Sequence, residues 1–168
     1  MEPETRLLTF DSPLGKIDLA ETDGALVALA WPGTGGRDET PLLADARAQV
    51  LAYFAGDLTE FTLNLRPAGS VFQHAVWARI AAIPFGHTHT YGDLARQLGA
   101  SPRAVGRACG ENPLPLVVPC HRVTAADGTL GGYSGHGGQD SKTFLLDLEA
   151  RVSGHAGLGP LFSGSRSA

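Results

Sequence analysis

The sequence predicts an α/β chain in two parts: a small N-terminal sheet-plus-helix domain, then a mainly helical C-terminal domain with a helix-turn-helix, winged-helix-like in arrangement. Three observations carry this expectation. Up to Trp31, short apolar runs are separated by turn residues, as in strands. Beyond Gly69 the apolar positions recur at helical spacing instead. Between Thr90 and Gly110 stand two short stretches, each opened by a hydroxyl residue and closed by glycine, which reads as a pair of capped helices.

Taken in order, Leu7-Leu8-Thr9-Phe10 and Lys16-Ile17-Asp18-Leu19-Ala20 are strand-like, joined by the turn Asp11-Ser12-Pro13-Leu14-Gly15. Asp23-Gly24 is a hairpin signal and leads into a third strand, 25–31. After a Gly-rich loop from Pro32 to Arg37, Thr40-Pro41 opens a helix with proline at its first position. Leu43, Arg47, Val50, Leu51 and Phe54 form its expected stripe, and Gly56 ends it. Glu60 to Leu65 alternates and is expected to be one more strand. Up to Leu65 there is no Cys and no His, so this part reads as a scaffold.

Arg66-Pro67-Ala68-Gly69 marks the expected boundary. It gives an N-terminal domain over 1–66, a C-terminal domain over 67–152, and a flexible tail over 153–168 rich in Gly, Ser and Ala. The next helix should turn Phe72, Val76, Ile80 and Ile83 to the core. Thr90-Tyr91-Gly92-Asp93 has capping-box spacing, with Leu94, Ala95 and Leu98 as an apolar face and Gly99 as the stop. Ser101-Pro102 starts the partner helix, with Ala104, Val105 and Ala108 inward. Its small residues suit close approach to a nucleic-acid backbone in the minor groove better than the reading of base edges. A last helix is expected from Asp140 to Val152, with Leu145, Leu148 and Val152 inward.

Bulk properties exclude several classes. A chain of 168 residues with 43% hydrophobic content can build a core, and no apolar run approaches a membrane span of about 20 residues. The N-terminus has no basic region followed by an apolar stretch, so no export signal is expected and the cytoplasm is the expected compartment, with both cysteines reduced. A net charge of −4 argues against coating nucleic acid by charge alone. A local basic face remains open: Arg96, Arg103, Arg107 and Arg122 face only Asp93 and Glu111 within 93–122. His87 and His89 lack a nearby Cys or carboxylate motif, and no metal or cofactor is expected.

The chemistry concentrates at Pro119-Cys120-His121-Arg122-Val123. The apolar run Leu116-Val117-Val118 is expected to form a short buried strand that delivers Cys120 at its end. A thiol beside a group able to take its proton is a candidate nucleophile. In extended backbone neighbouring side chains point apart, so the sequence alone does not place His121 against Cys120. Glu149 lies at the edge of the last helix's stripe; a carboxylate there needs a partner, and His121 is the expected one.

The stretch from Asn112 to Val123 resembles the signature of the O6-alkylguanine-DNA alkyltransferases. Gly132-Tyr133-Ser134-Gly135, and Lys142 with Leu145-Leu146 and Glu149, resemble it too, and the similarity runs from about residue 5 to 150. The resemblance implies a DNA-binding and alkyl-acceptor domain over 67–152. It implies irreversible transfer of an alkyl group from O6-alkylguanine in double-stranded DNA to Cys120, once per molecule, with O4-alkylthymine as an open second substrate. His121 and Glu149 would form the relay, the proton passing through a bound water. Asn112 would hold the turn before the cysteine. Arg103 would enter the duplex and fill the place of the extruded nucleotide, Tyr91 would contact the flipped base, and Arg107 would meet phosphate. Pro115, Val123, Tyr133 and Ser134 would line the pocket, the guanine being read by the carbonyls of Cys120 and Val123 and the amide of Ser134. Some relatives hold a structural zinc in the first domain, for which this chain lacks the cysteines. A monomer without membrane attachment is expected.

Two departures from the family pattern flank the pocket. The Gly99–Arg103 link is shorter than in several relatives, and the 135–140 loop is longer. Three rival readings differ in outcome: a lesion sensor that accepts no alkyl group, a thiol hydrolase indifferent to DNA, and a regulator with the helix pair alone.

Overall fold

The computed structural model describes residues 3–131 and 136–154. The chain divides into two compact units, Met1–Ala68 and Gly69–Ala168. The tail beyond 154, Tyr133 and Ser134 lie outside the described residues.

The first unit is an antiparallel meander of β1 (Thr5–Ser12), β2 (Gly15–Thr22) and β3 (Ala25–Ala30), in that order. Asp23 and Gly24 both take positive φ, 51° and 76°, as the tight turn between β2 and β3 requires. A register shift at Ala20/Glu21 leaves Val27 without an opposite residue. Leu26 and Leu29, three apart, therefore both reach the core, which strict alternation would forbid.

Helix α1 (Pro41–Phe54) begins where expected: the Thr40 hydroxyl accepts from the Leu43 amide, and proline opens the first turn. Leu43 and Val50 are buried as expected, but the rest of the buried row is Ala46, Gln49 and Tyr53 rather than Arg47, Leu51 and Phe54. Leu51 is 41% exposed and Arg47 pairs with Glu39 at 2.8 Å on the surface. The polar Gln49 hid the true row from a hydrophobic count. It faces inward because the segment after the helix needs it: Gln49 Oε1 accepts from Thr62 N at 2.9 Å, and Nε2 donates to Thr62 O at 3.3 Å. That clamp also explains why Glu60–Leu65 is not the strand expected. It meets β3 through a single bridge, Leu26 to Leu65, with Leu26 N donating to Asn64 O. A side chain satisfies backbone groups that a ladder would otherwise have to pair.

In the second unit, α2 (Val71–Ala81) opens with a reciprocal capping box between Ser70 and Gln73. Val76 and Ile80 are buried as expected, with Ile83 just beyond the helix. Phe72 is 38% exposed, and Trp77 takes its place inside, where its indole donates to Ala108 O at 2.9 Å. Helices α3 (Tyr91–Leu98) and α4 (Pro102–Gly110) match their sequence signals. Thr90 and Asp93 form the capping box, Gly99 closes α3 at φ 63°, and Ser101 caps α4. The short β4 (His89–Thr90) pairs in parallel with β5 (Val123–Thr124). Helix α5 (Gly138–Ser153) buries Leu145, Leu146, Leu148 and Glu149, whereas Val152, expected inside, is 41% exposed. Val152 lies on the same side of the helix but in its last turn, where residues 151–154 are all exposed.

Gln49→Ala should lower the stability of the first unit by about 0.5–1.5 kcal/mol, because it removes the hydrogen bonds that tie the Thr62 backbone to α1. Urea denaturation followed by circular dichroism measures this.

Candidate active site

Cys120 is delivered by a folded turn, not by the extended strand expected. Val118 N donates to Leu114 O at 2.8 Å, and Leu116 takes a left-handed φ of 79°. A 3₁₀ turn, Cys120–Arg122, follows directly. The run Leu116-Val117-Val118 is buried, as expected. It is not extended because Pro113, Pro115 and Pro119 supply no N–H and fix φ, which denies it a ladder. Asn112 is the template in its place. Its Oδ1 accepts from Leu114 N at 2.9 Å, and its Nδ2 donates to Val118 O at 2.9 Å and to Cys120 Sγ at 3.3 Å. One amide thus ties both ends of the turn and touches the sulfur.

Beside it lies a buried ionic cluster. His121 Nε2 stands 2.6 Å from Glu149 Oε2, at relative exposures of 0% and 1%. Arg122 clamps the same carboxylate, Nε to Oε1 at 2.9 Å and Nη2 to Oε2 at 3.0 Å. Gly86 N also donates to Oε1, at 3.0 Å. The remaining arm of Arg122, Nη1, donates to Ile83 O at 2.7 Å, and its guanidinium lies 5.6 Å from the Phe85 ring centroid. Burial works against the Glu149 charge, but His121 and Arg122 outweigh it and hold the carboxyl well below the ordinary range. Burial pushes His121 down, against the pull of Glu149, so the imidazole is neutral at pH 7. An ionised carboxylate can only accept. The ring proton therefore sits on Nε2, and Nδ1 carries the lone pair.

Arg122 corrects the expectation of a basic face containing it: the residue is 6% exposed and committed to Glu149. Arg103 and Arg107 are exposed on α4, and Arg96 pairs with Asp93 at 2.5 Å. Arg122 was legible to one argument, that a buried carboxylate demands a cation. Lys142 entered the sequence reading only through the family resemblance, with no role. It shares the α5 row with Leu145, Leu146 and Glu149, a spacing that could have revealed it. Its buried ammonium donates to Val123 O at 2.7 Å and to Leu130 O, and lies 5.8 Å from the Tyr91 ring centroid. Burial brings it down to about 8, against the opposing pull of Cys120 and Cys109.

Tyr91 is half-buried, and burial with the two nearby thiols pushes its hydroxyl up to about 12. Gly131 lets it approach, since a Cβ there would come within 2.9 Å of the ring. Pro115 and Val123 are buried. The Val123 carbonyl already accepts from Lys142, and the Cys120 carbonyl from Val123 N. Cys109 is buried on α4, its thiol pushed by burial up to about 12. Among the described residues no group of His, Cys, Asp or Glu could hold a metal ion, and no helix is long and apolar enough to cross a membrane.

The second unit thus combines a capped helix pair with a turn that sets a cysteine beside a buried histidine–carboxylate pair. Comparison with known proteins makes this specific. Residues 71–151 match the family model described as 6-O-methylguanine DNA methyltransferase, DNA binding domain, and residues 6–67 match its ribonuclease-like domain. The chain belongs to the 6-O-methylguanine DNA methyltransferase family. It is 47% identical over 154 residues to the methylated-DNA–protein-cysteine methyltransferase of Mycolicibacterium paratuberculosis, covering 86% of this chain and 92% of that one. The Bacillus subtilis constitutive methylated-DNA–protein-cysteine methyltransferase is 38% identical, over 86% and 94%. Among solved structures, Mycobacterium tuberculosis O6-methylguanine methyltransferase superposes with a TM-score of 0.79 at 39% identity, over 88% of this chain and 94% of that one. The M. tuberculosis OGT in complex with DNA gives 0.78 at 42%, over 88% and 93%.

Two outcomes follow from the protonation states. The unfolded chain protonates His121 near pH 6.5 while the native state resists, so stability should fall as pH drops from 7 to 5. Glu149, held low, adds a further loss as pH passes below 4.5. Urea midpoints across this range should show the first loss, and His121→Asn should flatten it. Iodoacetamide at pH 7.5 should label Cys120 ahead of Cys109 in the native protein, read by peptide mass mapping, with Cys109 labelled only on unfolding.

Proposed function

We propose that this chain repairs DNA as a methylated-DNA–protein-cysteine methyltransferase, moving the alkyl group of O6-alkylguanine irreversibly to Cys120. The observation that carries the reading is the placement of Cys120, with Asn112 Nδ2 3.3 Å from its sulfur and the 2.6 Å His121–Glu149 pair in the next residue of the same turn. His121 Nδ1 takes the thiol proton, by family resemblance through a bound water, and Glu149 steadies the imidazolium that forms. A free thiol is a few per cent ionised at neutral pH, so full ionisation gains roughly thirtyfold, about 2 kcal/mol. The thiolate attacks the carbon on guanine O6. The C–S bond forms as the C–O bond breaks, the electron pair returns to guanine, and the Tyr91 hydroxyl serves the leaving base as hydrogen-bond donor. The thioether has no route back to a thiol, so each molecule acts once.

DNA enters along α4. Its exposed Arg103 and Arg107 and its small side chains favour close approach to a duplex backbone without base readout. Arg103, at the start of α4, fills the gap left by the extruded nucleotide. Extrusion costs a few kcal/mol, less at a mispaired lesion. Pro115 and Val123, both buried, line the pocket. The protein works as a monomer in the cytoplasm.

Incubated with a duplex carrying one O6-methylguanine, the protein should gain one methyl group by intact mass, saturating at one equivalent. Cys120→Ser should gain none; a mass that never changes while the lesion is still bound would sink the reading in favour of a sensor. Arg103→Ala should slow transfer from duplex by about tenfold or more, with a smaller effect on the free modified base.

A further inference from the structure

We propose that Arg122 is a positioning residue of the relay: by holding the Glu149 carboxylate as an anion in a fixed orientation, it keeps the His121 proton on Nε2 and so keeps Nδ1 unprotonated, in the state that can accept the Cys120 proton. This deepens the alkyl-transfer reading and rests on it for the rate, though not for the protonation pattern.

The geometry carries the argument. The donors found on Glu149 meet both of its oxygens: Gly86 N and Arg122 Nε on Oε1, His121 Nε2 and Arg122 Nη2 on Oε2. The two guanidinium bonds form the parallel fork that fixes a carboxylate's orientation as well as its charge. The guanidinium is itself fixed, by Ile83 O at 2.7 Å and by the Phe85 ring. The charged groups acting on His121 are Glu149 and Lys142 from α5 and Arg122 from its own turn; α2, which also packs on that turn, leaves His74 and Arg79 on the surface.

Without the guanidinium, a carboxylate this deeply buried must find a proton or a cation elsewhere. It can take a proton and donate it to Nε2, which moves the ring proton to Nδ1. Alternatively His121 becomes imidazolium. Both routes put a proton on Nδ1, and a protonated Nδ1 cannot accept one from Cys120. Arg122 thus acts on the thiol through two intermediaries and touches no reacting atom.

Nitrogen-15 NMR of histidine-labelled protein at pH 7 reads the state directly. The wild type should show His121 protonated at Nε2 and unprotonated at Nδ1. Arg122→Gln should show a protonated Nδ1. It should slow both iodoacetamide labelling of Cys120 and methyl transfer by about ten- to hundredfold, as for other residues that orient a catalytic ligand, with partial recovery as pH rises. Arg122→Lys, which keeps the charge, should keep Nδ1 unprotonated. An Arg122→Gln protein that melts lower or reacts slower but keeps the wild-type pattern and pH profile would reduce the residue to a structural tie and overturn the proposal. Should Arg122→Gln not fold, the other two samples still decide: a protonated Nδ1 in the wild type, or in folded Arg122→Lys, overturns it. A wild type with the expected pattern that accepts no methyl group would instead sink the repair reading and leave this one standing.

Discussion

The second unit is built around one costly object, an ionised carboxylate at 1% exposure. Removing an ion from water costs several kcal/mol unless its lone pairs are met and its charge balanced. Glu149 draws its partners from separated parts of the chain: Gly86 from the loop after α2, His121 and Arg122 from the turn that carries Cys120, and its own place on α5. None of these segments can shift without exposing that charge to an unpaired site. The cluster therefore fixes the turn that carries Cys120 from one side and keeps His121 a neutral imidazole.

Asn112 fixes the same turn from the other side. The prolines at 113, 115 and 119 make a ladder impossible, so the backbone between Leu114 and Cys120 depends on a side chain to hold its shape. That side chain also reaches Sγ, which couples the shape of the turn to the state of the sulfur. Below, Lys142 ties the Val123 and Leu130 carbonyls and brings a second buried cation toward Tyr91 and the two thiols. The surroundings of Cys120 thus combine a neutral base, a neutral donor and a nearby positive charge. Cys109 shares the neighbourhood but is kept as a protonated thiol by burial.

Capped helices were the most legible elements. The Thr90–Asp93 and Ser101–Pro102 signals set α3 and α4 because caps and glycine stops act over a few residues, within reach of sequence alone. Buried faces were less so. Gln49 and Trp77 are inside and Leu51, Phe72 and Val152 are partly outside, because the row that packs is chosen by the neighbouring element and not by hydrophobicity. The segment 60–65 alternates as a strand would, yet a single glutamine on α1 takes up the backbone bonds of Thr62 at its middle.

At the site, the residue types and their spacing were readable: a Cys-His pair, an asparagine eight residues before it, and a glutamate on the row of the last helix. These are properties of local order, and chemistry limits which residues can serve as nucleophile, base and orienter. What the sequence could not decide was which charges meet. Arg122 adjoins His121 in the chain and counted toward a basic surface, while Lys142 carried no assigned task. Only the packing of α5 against the reactive turn turns both inward, because a contact across 27 residues is set by the fold and leaves no local pattern.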